Sequence, residues 1–138
     1  MAKNTDREIV QHIDKAYADL VVSLKDLARS GSSDLHYILR SAATIEQMCG
    51  GLTANLWDDP FEWTLPETLS NADRIVEYLS EVDLARERVF NSIDDSALTK
   101  YISVPSGDER PLISVLLETL VKATDLRARA ATEGRPYS

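Results

Sequence analysis

The chain has 138 residues, 43% of them hydrophobic and 28% charged, with a net charge of −8 and a pI near 4.7. That length suits one domain, residues 1–138, with a real core, and the composition excludes a disordered polymer. So acidic a surface is a poor match for nucleic acid or an anionic membrane, and no apolar run approaches the ~20 residues that cross a bilayer.

The first helix is expected from near Thr5, where Thr5 and Glu8 have the spacing of a capping box. Its apolar residues, Ile9, Ile13, Ala16, Leu20, Leu24 and Leu27, with Tyr17 and Val21 alongside, recur at three and four and so share one face. Ser30-Gly31-Ser32-Ser33 ends it, with Gly31 suited to the position just past the helix. A second helix follows at once, capped by Ser33 or Asp34. It carries the most regular stripe of the chain: Leu35, Ile38, Ala42, Ile45, Cys49, Leu52 and Leu56. Gly50-Gly51 interrupts it, marking either a close contact or a bend.

Residues 57–66 hold two prolines and the aromatics Trp57, Phe61 and Trp63, which no regular helix accommodates. The third helix is expected from near Ser70, with Ser70 and Asp73 as a capping pair and Ile75, Leu79, Val82, Val89 and Ile93 inward. Asp94-Asp95-Ser96 stops it, followed by a short turn through Leu98. Residues 99–110 are expected to be extended and then turned. The fourth helix begins near Pro111, a residue suited to a first helical turn, and shows Leu112, Val115, Leu116, Leu120, Ala123, Leu126 and Ala130. Gly134 and Pro136 close it. The short first link makes helices one and two antiparallel neighbours, while the long second link is able to run back along a helix and leave helices two and three parallel.

Little in this chain advertises chemistry. Its two histidines, His12 and His36, stand alone on their helices, and a metal site needs three or four converging ligands. Cys49 falls on an apolar face, as a small core residue does, whereas a reactive thiol needs a basic partner and access to solvent. No phosphate loop, nucleophile elbow or HExxH pattern is present. A lone cysteine and a first segment without a signal-like apolar stretch make the reducing cytoplasm the expected compartment. Among the carboxylates, Glu46 is placed to line an interior edge. Trp57, Phe61 and Trp63 have three roles open to them: plugging one end of the core, rimming a pocket, or forming a dimer patch. Lys122 stands one turn before the inward Leu126, where it would anchor an anion or pair with Glu46.

The order of these features resembles the DinB-like four-helix bundles, described as metal-dependent hydrolases or thiol transferases. The likeness spans nearly the whole chain. It rests on the short first link, the Trp-containing segment with Trp63-Thr64-Leu65-Pro66-Glu67-Thr68, the acidic turn after the third helix, and the run from Leu116 to Ala130. The resemblance implies an all-α bundle of up-down-down-up topology with long crossover links, and a homodimer. It also implies a divalent metal held by one His on helix two and two His one turn apart on helix four, the second followed by Arg. In Lys122-Ala123-Thr124-Asp125-Leu126-Arg127 the Arg is kept as Arg127, but the ligand positions hold Lys122 and Leu126. Ser41 stands at the helix-two position. Lys⁺ only donates, Leu cannot coordinate and Ser is a poor ligand for soft divalent metals.

The expectation is therefore a DinB-like protein without the family metal site and with no cofactor, acting by binding or assembly. The pocket candidates are Ser41, Glu46, Lys122, Asp125, Leu126, Trp57 and Trp63. The alternative is a metal-dependent hydrolase or small-thiol-dependent transferase, with a cleft between helices two and four, using Glu46, Asp125, His36 and Cys49.

Overall fold

A computed structural model describes residues 6–30, 34–54, 57 and 71–133, without the side chains of residues 54 and 133. Four helices make up most of it: α1 Glu8–Ser30, α2 Leu35–Ala54, α3 Ala72–Asn91 and α4 Leu112–Glu133. Between α3 and α4 lie a 3-10 turn, Asp95–Thr99, and a hairpin of β1 Tyr101–Ser103 and β2 Glu109–Pro111. The strands pair antiparallel with Tyr101 opposite Pro111. Gly107 at the tip has φ of 91°, a conformation that costs glycine nothing and other residues strain. Pro111 thus ends a strand instead of opening the helix, and α4 starts one residue later, where the Leu112 amide donates to the Lys100 carbonyl at 2.8 Å.

Cross-helix bonds set the directions. Tyr17 donates to the Leu116 carbonyl and Arg127 to Ser23, so α1 and α4 run parallel. Asp34 pairs with Ala130 and Ser41 with Ala123, so α2 opposes α4. Arg7 reaches Phe90 while Arg86 reaches Asp14, so α1 opposes α3. It follows that α2 and α3 point the same way. The closest-packed pairs are α2 with α4, α1 with α3, and α2 with α3; α3 and α4 barely touch. The helices joined by the short link are antiparallel, as expected, yet each packs mainly on a different neighbour. A short link limits where the next helix starts, and the apolar faces decide what it lies against.

The core contains Tyr17, Leu24, Ile38, Ile45, Met48, Ile75, Leu79, Phe90 and Leu116, all with almost no exposed surface. In α1 the buried stripe starts at Val10, and Ile9, expected inside, is 50% exposed. The helix ends differ from the sequence expectation too. The α1 amides of Ile9 and Val10 donate to the Asp95 carboxylate, 86 and 85 residues away, at 3.2 and 2.9 Å. Reciprocally, Arg7 donates to the Phe90 carbonyl in the last turn of α3 and to the Ile93 carbonyl just past it. These paired caps fasten the two antiparallel helices end to end; Thr5, the expected cap, lies outside the described residues. Asp34 caps α2 by accepting from the His36 amide at 2.9 Å. Asn71 caps α3 by accepting from the Arg74 amide. Gly31, Ser33, Leu56, Ser70, Gly134 and Pro136 fall outside the described residues.

Candidate functional site

The seam between α2 and α4 is where the resemblance puts the ligand positions. Ser41 is fully buried there, and its hydroxyl donates to the Ala123 carbonyl at 2.7 Å. That bond is a structural rivet. A buried hydroxyl without a partner would cost about 1–3 kcal/mol, and an α4 carbonyl supplies one. The hydroxyl's proton is committed to that carbonyl. Lys122 is exposed on the outer face of α4, and Leu126 is half-buried. Asp125 is exposed and paired with Arg129 at 3.2 Å. The three ligand positions therefore do not fit a divalent metal, and Lys122 does not reach Glu46.

Glu46 faces α3 instead, accepting from the Tyr78 hydroxyl at 2.7 Å. Cys49, one turn on, is buried. Desolvation, with the Glu46 charge as the lesser cause, pushes its thiol up to about 12. It is a core thiol and not a nucleophile. Tyr17, also buried, has its phenol pushed far above the usual range, chiefly by desolvation. His36 is exposed, its ring edge-on to Tyr37 at 5.8 Å. Glu46 and Cys49 are thus one turn apart on α2, while Asp125 and His36 are exposed, Asp125 paired with Arg129 and His36 beside Tyr37. Among the described residues no three His, Cys, Asp or Glu are grouped so as to hold an ion.

Arg86 escaped sequence reading. It sits inside the bundle with its side chain 7% exposed, paired with Asp14 of α1 and with Asp83 at 2.7 Å. Burial works against its charge, but Asp83 and Asp14 outweigh burial and hold the guanidinium firmly protonated. The available signal was its spacing: Val82, Arg86, Val89 places an arginine on the α3 apolar stripe.

Trp57 is the pocket candidate with a defined seat. Gly51 lies in the last turn of α2, and a Cβ added there would stand 2.3–2.4 Å from Cδ2, Cε3 and Cε2 of the Trp57 indole. The ring therefore lies against bare helix backbone. Gln47, one turn earlier, donates to the Trp57 carbonyl at 2.5 Å. Of the two alternatives for Gly50-Gly51, a close contact is what Gly51 serves. The indole is half-buried against the core. Trp63 lies outside the described residues.

Concave surfaces also lie away from the seam, among them these. A polar groove of about 400 Å³ at the bundle end is lined by Arg7, Asn91, Ser92, Asp94, Ser96 and Lys100 among others. Arg7 is occupied there by helix carbonyls. Asp94 caps the 3-10 turn, and the Ser96 hydroxyl and the Ala97 amide hold its carboxyl below its usual range. Another is an apolar hollow of about 310 Å³ on the outer crest of α4, between Leu117, Glu118, Val121 and Lys122. Leu117 and Val121 are 43% and 69% exposed.

No family model, curated protein or solved structure matches this chain.

Proposed function

We propose that the chain is a DinB-like bundle that has exchanged its metal ligands for structural residues and acts by binding or assembly. Ser41 carries this reading: the residue at the helix-two ligand position spends its hydroxyl on the Ala123 carbonyl. Lys122 and Leu126, with no lone pair to offer a cation, complete the substitution. Two helices running one way and two the other, with α2 and α3 parallel, support the up-down-down-up arrangement that the resemblance implies. The exposed Leu117 and Val121 on α4 support a homodimer. The net charge of −8 speaks against nucleic acid as the partner. No described helix is long and apolar enough to cross a membrane.

Metal analysis of protein purified without a His tag tests this directly. The expected result is less than stoichiometric zinc and nickel; stoichiometric zinc or nickel refutes the reading. The alternative, a hydrolase or thiol transferase in the α2–α4 cleft, requires groups to converge where Ser41 and Ala123 are already bonded.

A further inference from the structure

We propose that the α2 surface around Gly51 is a binding slot for a planar aromatic ring carrying an adjacent carbonyl, and that Trp57 fills it from within the chain. The proposal rests on the binding reading above and names a ligand class for it. Three observations carry it. The floor is backbone: any side chain at 51 would overlap the ring, since a carbon 2.3 Å from Cδ2 lies far inside van der Waals contact. A glycine in a helix weakens that helix, so the slot is maintained against local propensity. The polar contact is specific, because Gln47 presents an amide N–H to the carbonyl beside the ring at 2.5 Å. The seat is also accessible, for the indole is half-buried while Gly51 beneath it is buried.

Helical neighbours are three or four residues apart and α2 ends at Ala54, so the Trp57 indole reaches Gly51 from beyond the helix. Trp57 is thus a tethered ligand. A short tether gives an effective concentration in the millimolar range, which a free aromatic must overcome. An intact chain accordingly binds such ligands weakly, and removing the tethered ring opens the slot.

The test uses N-acetyl-L-tryptophanamide and indole as probes, with folding checked by circular dichroism. Trp57→Ala is expected to bind N-acetyl-L-tryptophanamide saturably and roughly tenfold or more tighter than the unaltered chain does. Adding Gly51→Ala is expected to abolish that binding. Adding Gln47→Ala instead is expected to weaken the amide probe by roughly fivefold, the worth of one hydrogen bond, and leave indole unchanged. A folded Trp57→Ala chain that binds neither probe, or binds both equally well with Gly51→Ala, overturns the proposal. If Trp57→Ala does not fold, the Trp63→Phe chain is titrated while its remaining indole N–H resonance is followed by NMR. Saturable movement toward the free-tryptophan position supports displacement, and a fixed resonance overturns it. Metal content is measured on the same protein, so a failed slot and a failed metal-free reading give separate signatures.

Discussion

Replacing Arg86 by Met probes the least expected feature of the interior. The substitution keeps an unbranched apolar stem and removes the guanidinium, leaving Asp14 and Asp83 without their buried cation. Breaking a fully buried ion pair costs about 3–5 kcal/mol, and an exposed one under about 1 kcal/mol. Here the cation is 7% exposed, but Asp14 and Asp83 are 30% and 31% exposed and regain water when abandoned. The loss should fall between those limits, at about 2–3 kcal/mol, with Tm lower by roughly 6–10 °C for a chain of this size. Asp14→Asn leaves Asp83 in place and should cost about 1 kcal/mol. Urea unfolding followed by helical dichroism measures each variant and the double variant. The double should cost less than the sum by about 1 kcal/mol, because both changes remove one interaction. Strict additivity, or an Arg86→Met chain within about 0.5 kcal/mol of the original, would refute the assignment of a cross-helix ion pair.

Asp95→Ala should cost about 1–2 kcal/mol and strip hydrogen-exchange protection from the Ile9 and Val10 amides, whereas Asp95→Asn should keep most of both. Cys49 holds its proton more tightly in the folded chain than in the unfolded one. Its contribution is therefore full below the ordinary value of 9.0 and falls as pH rises toward about 12. Stability should decline over that window at a slope of up to about 1.4 kcal/mol per pH unit, part of which disappears in Cys49→Ala, and the native thiol should resist thiol reagents at pH 8. Leu117→Glu with Val121→Glu should leave helicity unchanged and yield a monomer by light scattering; a dimer that persists would place the contact elsewhere.

Hydrophobic spacing alone located α1 to α4 and most of their buried residues, since Ile13, Ile38, Ala42, Leu79, Val82, Leu116 and Ala123 are all inside. The stripe misplaced Ile9 because a helix's first turn is positioned by its cap, and that cap came from residue 95. It also left out Met48 and Phe90, which lie just off the counted positions and close the core between neighbouring helices. Ser41 was legible as a position and not as a role: only coordinates show a hydroxyl bonded to a carbonyl 82 residues away. Glu46 and Lys122 were placed near one another by reasoning along single helices. Their partners depend on how each helix is rotated against its neighbours, which periodicity leaves free. Gly51 carried a signal from the outset, yet its occupant could not be named without coordinates for Trp57, whose ring lies over it.

The mutual fastening of Arg7 to the end of α3, and of Asp95 to the start of α1, sets a timetable for a chain made from its amino end. At roughly 5–20 residues per second, about 4–17 seconds separate synthesis of Val10 from that of Asp95. Throughout that interval the Ile9 and Val10 amides are without the Asp95 carboxylate that holds them in the folded chain. The first turn of α1 thus waits for a residue that lies beyond α3.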